Sequence, residues 1–355
     1  MARTSTTRSV RRKTARRSTR RTVRIAVIGL GTVGTGTVKV LREHEHEVER
    51  RLGCRLELKT ICDVVAKDVS WFGRPVRITK EWREVIEDPE IDIVVELIGG
   101  ATVARDVAFA ALDAGKHLVT ANKQLMAEYG VKLDERSRAA GVHLGIEACV
   151  MGGTPLLHAV REGLAGEHFT AAYGILNGTT NYILTEMERR GSSFAEALAE
   201  AQQKGYAERD PTFDVEGYDS RYKIAILAMI CFGQAVPVKN IPAEGIRRVE
   251  QVDFAYAHRL NHTIRLIAGA RRLTGSGGRL EMFVRPMMIP QASPLAHVLG
   301  SINGVLLVGN KGGNTTITGR GAGGEPTGVA VLSDVVQIAR SIVAGGESIT
   351  PLGYI

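Results

Sequence analysis

Between Lys204 and Lys223 the chain places five carboxylates, Glu208, Asp210, Asp214, Glu216 and Asp219, ahead of Lys223. Asp219 and Lys223 are four residues apart at what reads as a helix start, so they share one face. A lysine whose pKa is adjusted by burial and neighbours can protonate a carbonyl oxygen as hydride reaches its carbon. The surplus acids would suit a substrate carrying an ammonium group. The same spacing also describes an acidic surface loop in which Asp219 opens a helix and forms an i,i+4 ion pair. Spacing alone does not separate the two. A second lysine is placed more tellingly. Lys123 follows Thr120-Ala121-Asn122 at the carboxyl end of a strand at 117–119, and ligands of open α/β sheets lie outside those ends.

A third group of residues would bind rather than react. Gly29-Leu30-Gly31-Thr32-Val33-Gly34 follows a β-branched run and opens a helical stretch, the context in which such glycines mark a dinucleotide site. Gly29 allows the tight turn, Gly31 lets backbone approach a pyrophosphate, and Gly34 lets helix and strand pack closely. The helix N-terminus offers unpaired N–H groups and a positive dipole end to the phosphates. Asp63 closes the next strand, further along than the usual spacing of about 20 residues. Its carboxylate would accept the ribose 2′-OH and repel a 2′-phosphate, which favours NAD. Lys67 nearby softens that preference and leaves NADP open.

The elements that must hold these groups alternate. Strands at 22–28, 56–62, 91–98, 117–120 and 143–146 are separated by helical stretches to about Leu52 and at 103–114 and 125–139. Such alternation predicts right-handed crossovers and a parallel sheet covered on both faces. The expected class is α/β, a Rossmann-type doubly wound sheet over residues 23–150, completed by a C-terminal helix at 327–343 that packs back on it. From 151 to 326 the pattern becomes α+β, with helices at 155–164, 181–190, 194–204 and 219–232 and strand-like runs at 263–270, 280–285 and 305–308. A C-terminal tail, 344–355, follows.

Charge and composition exclude other classes. The formal charge is +8, but residues 1–22 hold nine arginines and lysines and no acid, so removing that +9 leaves a body near −1. This Arg-, Ser- and Thr-rich tail has nothing apolar and periodic to form a core and is expected to be disordered. It reads as a solvated extension, an organelle transit peptide or an arm with weak nonspecific affinity for polyanions. The body offers no basic helix or aromatic platform for nucleic acid. Four cysteines without a CxxC pair argue against a disulfide scaffold or zinc ribbon and for a reducing, cytoplasm-like compartment. The apolar run at 224–238 is broken by Gly233, Gln234 and Pro237, too short for the roughly 20 residues that span a bilayer. His258 and His262 are spaced to share a metal, but no third ligand accompanies them.

Taken together, the motifs resemble homoserine dehydrogenase. The matching pieces are the glycine loop, Thr120-Ala121-Asn122-Lys123, Glu147-Ala148-Cys149-Val150-Met151-Gly152-Gly153-Thr154-Pro155, Asn177-Gly178-Thr179-Thr180-Asn181, Gly205-Tyr206-Ala207-Glu208, the acidic run from Asp210 to Asp219, and Gly319-Arg320-Gly321-Ala322-Gly323-Gly324-Glu325-Pro326-Thr327. The resemblance implies reversible reduction of L-aspartate 4-semialdehyde to L-homoserine with NAD(P)H, on the route to threonine, methionine and isoleucine. It implies that Lys223 is the acid/base, with Lys123 beside it polarising or relaying and also near the cofactor. Glu208 and Asp219 would contact substrate, with Thr179, Tyr206 and Asp214 lining the same pocket. Gly323 would be a late cofactor contact. Glu147 with the backbone carbonyls of Val150, Gly152 and Thr154 resembles a structural sodium site. Residues 151–326 would be a catalytic and dimerisation domain, in a homodimer or homotetramer.

The chain departs from the family pattern in places. Cys149 and Met151 stand where alanine is common, and the basic tail is foreign to it. Many members carry a C-terminal regulatory ACT domain; threonine feedback through one is not expected here. Another amino-acid-linked dehydrogenase, such as an aspartate dehydrogenase, would have to explain the acid–lysine cluster by coincidence. A dinucleotide-sensing nucleic-acid binder would rely on the tail and show strongly salt-dependent binding.

Overall fold

The computed structural model describes residues 21–65, 68–275 and 277–345. Expectations for the basic tail through residue 20, for Lys67 and for the C-terminal tail beyond 345 lie outside the described residues. Strands β1 (Thr22–Ile28), β2 (Arg55–Cys62), β3 (Arg77–Thr79), β4 (Ile93–Glu96), β5 (His117–Thr120) and β6 (Leu144–Gly145) form one sheet in the order β3-β2-β1-β4-β5-β6. Every pairing in it is parallel. The order reverses between β1 and β4, so a crevice opens there beyond the carboxyl ends of the strands. Register brings Ile28 of β1, Glu96 of β4 and Thr120 of β5 into one row at that rim. The near-continuous burial of IAVI in β1 and IVVE in β4 is the mark of strands covered on both faces.

Helices α1 (Thr32–Leu52), α2 (Trp82–Glu87), α3 (Thr102–Asp113) and α4 (Lys123–Ala140) belong to this sheet. The second part carries α5 (Leu156–His158), α6 (Gly178–Arg190), α7 (Phe194–Gln203), α8 (Thr212–Val215), α9 (Tyr218–Phe232) and α10 (Gln251–Arg259), before α11 (Gly324–Ala344). Its sheet is antiparallel, with β7 (Phe169–Ile175), β8 (His262–Arg272), β9 (Leu280–Pro290), β10 (Ile302–Gly309) and β11 (Asn314–Arg320) in the order β11-β10-β7-β8-β9. From Lys223 to Phe232 every residue of α9 is buried. A helix enclosed on all sides shows no amphipathic period, and its first two turns carry the charges of Asp219 and Lys223 into that interior.

Helix α11 returns to the first sheet and lies along α1, sharing a core with Val23, Ile25, Val27, Val38 and Leu41. The contact is close because Gly36 faces the Gly324 carbonyl, which a β-carbon on Gly36 would approach to 2.1 Å. Among the described residues α11 alone is long and apolar enough to cross a membrane, at mean hydropathy 1.4, but half of its most apolar stretch is buried in the protein.

Several elements depart from the expected pattern. β7 and β11 are additional strands; the former is rich in Ala and Gly, and the latter alternates exposed and half-buried residues at the sheet edge. β3, α2 and α10 are short pieces with weak periodicity. The helix expected at 155–164 is α5 continued by a π-turn at Ala159–Gly163. Thr212–Val215, expected as loop after Pro211, closes into one helical turn. The four cysteines are buried thiols outside any disulfide.

Candidate active site

One buried carboxylate joins both lysines. Asp219, in the first turn of α9, accepts from Lys223 Nζ on Oδ2 at 2.7 Å and pairs with Lys123 Nζ through Oδ1 at 2.9 Å. Lys223 Nζ also donates to the Leu176 carbonyl at 2.7 Å, at the end of β7. An ammonium group has three N–H donors. Two of those on Lys223 are spent on Leu176 and Asp219. Lys123 stands at the first position of α4, where Asn122 caps the helix by accepting from Leu125 N–H at 3.0 Å. Its ammonium lies 5.6 Å from the centre of the Phe213 ring. The two lysines come from α4 of the first part and α9 of the second and meet at the rim above β4 and β5.

Electrostatics fix the charge states. Burial alone would raise the Asp219 pKa, but Lys223, Lys123 and the Asn177 amide together hold it well below the usual carboxylate range. Burial pulls Lys123 down while Asp219 and Asp214 pull it up, and the pair wins, so it remains a cation through the neutral range. Asp214 goes the other way, raised first by burial and then by the neighbouring charge of Asp219. Asn177 Nδ2 bridges the two acids, donating to Asp214 Oδ1 at 2.8 Å and to Asp219 Oδ2 at 2.9 Å. Its Oδ1 meanwhile caps α6 through Thr180 N–H at 2.8 Å.

The five acids of the 204–223 run do not act together. Asp214 and Asp219 turn inward. Asp210 accepts from Thr212 N–H in a local turn, and Glu216 pairs with Arg247. Glu208 is exposed, its carbonyl accepting from Gln202. The expected surplus of negative charge around a substrate ammonium thus reduces to Asp214, because Asp219 is committed to the lysines. Thr179 lies in the cluster, donating to the Tyr206 carbonyl and reaching Asp214 Oδ2 at 3.3 Å. The Tyr206 ring sits half-exposed against Tyr182.

The glycine loop has the expected geometry. Gly29 adopts φ +97°, and a β-carbon there would lie 2.6 Å from the Leu97 carbonyl oxygen. One on Gly34 would lie 2.1 Å from the Gly29 oxygen, whereas one on Gly31 meets nothing within 4 Å. Asp63 braces the loop by accepting from Leu30 N–H at 2.7 Å and Val65 N–H at 2.8 Å. A cleft of about 660 Å³ is lined by Leu30, Gly31, Thr32, Lys39, Gly324 and Glu325 among others, so the N-termini of α1 and α11 converge on it. Gly323 caps α11 at φ +123° beside this cleft. Two helix N-termini and open backbone fit a pyrophosphate, and Val33 and Thr32 carry the first turn of α1.

These facts separate two glycines by experiment. Gly31→Ala should leave the free energy of unfolding within about 0.5 kcal/mol of the parent while weakening dinucleotide binding, followed by nicotinamide fluorescence. Gly34→Ala should destabilise by about 1–3 kcal/mol, as overpacking does. Equal effects of the two on stability would contradict the assignment.

The region expected to hold sodium is a tight loop. Met151 takes φ +53°, and Thr154 N–H returns to the Met151 carbonyl at 2.7 Å. Both Glu147 oxygens are engaged by the N–H groups of Leu157 and His158, so this carboxylate caps α5. The Thr154 carbonyl accepts from Leu156 N–H. Carbonyls of Val150, Gly152 and Thr154 are hard oxygen donors of the right type for an alkali cation, with Glu147 turned to the helix. Behind the loop, Asp334 of α11 accepts from Glu147 N–H and bonds His158 Nε2 at 2.9 Å.

His258 and His262 do not face one another as ligands. The first bonds Glu188, which also holds the buried Arg265, and the second bonds the Leu260 carbonyl. Asn177, Phe213, Asp334 and the Leu176 carbonyl are site residues that the acid–lysine pattern misses. Asn177 was legible as a cap before α6; the others depend on distant chain segments meeting.

A parallel sheet with a glycine-rich dinucleotide crevice, at whose rim Lys123 of α4 meets Lys223 of α9 on one buried carboxylate, defines a nicotinamide-dependent oxidoreductase. Comparisons with known proteins narrow that class. Residues 155–336 match the family described as homoserine dehydrogenase, and residues 29–147 match its NAD binding domain. The homoserine dehydrogenase of Neisseria gonorrhoeae is 41% identical over 320 residues, 90% of this chain and 73% of that protein. That of Synechocystis is 42% identical over 332 residues, 91% and 75% of the two chains. The crystal structure of a homoserine dehydrogenase from Thiobacillus denitrificans superposes with a TM-score of 0.86 at 41% identity, covering 91% of this chain and 74% of that one. A hyperthermophilic archaeal homoserine dehydrogenase in complex with NADPH superposes at 0.74 with 26% identity, covering 90% and 98%. The chain belongs to the homoserine dehydrogenase family of NAD(P)-dependent oxidoreductases.

Proposed function

We propose that Lys223 moves the proton when this homoserine dehydrogenase interconverts L-aspartate 4-semialdehyde and L-homoserine. A nicotinamide dinucleotide held by the glycine loop and the N-termini of α1 and α11 would, when bound, supply hydride to the aldehyde carbon or accept it from the alcohol. The spare N–H of Lys223 donates to the oxygen as it becomes an alkoxide; in reverse the neutral amine accepts the hydroxyl proton. Lys123, held as a cation by Asp219, stabilises the developing negative charge from the other side, the kind of fixed charge that supplies large rate effects. Asp214 takes the substrate ammonium, whose charge would offset the burial and the Asp219 charge that raise this carboxyl's pKa. Thr179 fixes Asp214, and Tyr206 and Glu208 line the exposed mouth. The observation that carries this reading is the single buried carboxylate shared by both ammonium groups.

For the cofactor the reading is NAD first, supported by the Asp63 carboxylate beside the loop, with NADP second. A cation on the carbonyls of Val150, Gly152 and Thr154 is also part of it, as are a homodimer or homotetramer, a cytoplasmic setting and a place in threonine, methionine and isoleucine synthesis. Homoserine should drive reduction of the dinucleotide, followed by nicotinamide absorbance at alkaline pH, where release of a proton favours oxidation. NAD⁺ and NADP⁺ run side by side decide the preference. Reduction of neither overturns the reading.

A further inference from the structure

The rim between β4 and β5 contains a buried acid that the proton transfer does not use. Glu96, the last residue of β4, is 0% exposed. Its Oε1 accepts from Ile98 N–H at 2.7 Å, and its Oε2 accepts from the Thr120 hydroxyl at 2.7 Å. The Thr120 hydroxyl accepts in turn from Asn122 N–H at 3.0 Å. Asn122 caps α4 with one side-chain atom and donates with the other to the Gly100 carbonyl. Lys123 is the next residue.

Two loops are therefore tied to one side chain. Residues 97–100 leave β4 through Gly99 and Gly100, both at positive φ, so this segment has little stiffness of its own. Residues 121–123 leave β5. Both form walls of the crevice beyond the carboxyl ends, where open sheets bind their ligands. A fully buried carboxyl costs several kcal/mol unless it is hydrogen-bonded, and here it is bonded on both oxygens. Burial raises the Glu96 pKa, while Thr120 and the Ile98 and Gly99 N–H groups pull it back. Among the described residues no lysine, arginine or histidine pairs with it, so its role is that of a double acceptor rather than half of an ion pair.

We infer that Glu96 is a positioning residue for the known reaction: it locks the loop after β4 to the loop after β5, and through Thr120 and Asn122 sets the first turn of α4 so that the Lys123 ammonium stands over the reacting oxygen. This rests on the role given above to Lys123. A displacement of about 1 Å at a reacting group can cost about 10²-fold in rate, which is the scale to expect.

The test is a double-mutant cycle on homoserine oxidation with Glu96→Ala and Lys123→Met, measured alone and together, with kcat and both KM values for each. Glu96→Gln is the near-isosteric control. Its amide oxygen can still accept from Ile98 N–H, but its amino group must donate to the Thr120 hydroxyl, which has to turn its own proton elsewhere, so the clamp is weakened rather than lost. Glu96→Ala should lower kcat by about 10–100-fold, Glu96→Gln by less, and the double variant should be no slower than Lys123→Met within about threefold, because groups acting as one unit are not additive. Losses that multiply would overturn the inference and leave Glu96 a purely structural residue. Parental turnover in a Glu96→Ala enzyme whose melting temperature has fallen would also overturn it. If Lys123→Met turns over like the parent, the role of Lys123 fails and the inference with it, a result distinct from multiplying losses. Should Glu96→Ala not fold, the cycle is run with Glu96→Gln and read by the same criterion.

Discussion

Lys223→Met lowers the turnover of homoserine oxidation by about 10²–10⁴-fold, the range that a general acid/base group contributes, while the KM for the dinucleotide stays near that of the parent. Methionine keeps the length and most of the volume of the buried stem, so packing along α9 is preserved. What disappears is the donor aimed at the substrate oxygen. The dinucleotide cleft is built from α1, α11 and the glycine loop, and none of its lining residues touches Lys223, so cofactor affinity has no reason to change. The split between turnover and KM matters because a variant that had merely loosened the fold would move both. Asp219 keeps Lys123 as a partner in this variant, so the remaining charges are paired. Turnover within a few-fold of the parent would remove Lys223 from proton transfer and leave Lys123, the other ammonium on the same carboxylate, as the group to examine.

What could be read in the sequence follows how local each feature is. The glycine loop, the strand before it and the helix after it lie within a few residues of one another, so their geometry follows from local backbone rules. The parallel sheet was legible because βαβ units repeat with strong apolar runs. The convergence of Lys123 and Lys223 was not a local property. It depends on α9 entering the core end-on, so that residues of its first turn meet the start of α4, and only a motif match pointed to it. Pattern reasoning missed two strands of the second sheet: the Ala- and Gly-rich β7 is buried on both faces and so shows no alternation, and the edge strand β11 alternates only between exposed and half-buried residues that are almost all polar. It also over-counted the acids. Five carboxylates close in sequence were read as one cluster, yet turns at Pro211 and Gly217 send Asp210 and Glu216 outward and only Asp214 and Asp219 in. The committed partner of Asp219 is what makes the difference: a carboxylate spent on two lysines has no charge left for a substrate.

That commitment makes Asp219→Asn the second large effect. The carboxylate is 4% exposed and Lys223 10%, whereas Lys123 is 35% exposed, so the cost is concentrated on the Lys223 side. Removing one member of a buried ion pair typically costs about 3–5 kcal/mol, because the other charge stays buried without a counter-ion. Asparagine also turns an N–H donor toward an ammonium group, where the carboxylate offered an acceptor. The pH dependence has a definite sign. Asp219 is held below its usual carboxylate value, so its contribution is fully present above about pH 4, the unfolded value, and is lost as pH falls through the lower folded value. Lys123 is raised instead, so its share is fully present below the unfolded value near 10.4 and fades only as pH rises beyond it. The melting temperatures of the parent and Asp219→Asn should therefore differ by a constant several degrees from about pH 5 to 9 and converge under strong acid. In the variant, Asp214 loses the neighbouring charge that helped to raise it, and it becomes the nearest carboxylate to both lysines. If Asp214 swings to fill that place, stability recovers in part, but the acid proposed for the substrate ammonium is then spent, and the KM for homoserine rises along with the fall in turnover. A gap in melting temperature that persists unchanged to pH 2, or a variant as stable as the parent at pH 7, would mean that the two lysines do not depend on this carboxylate.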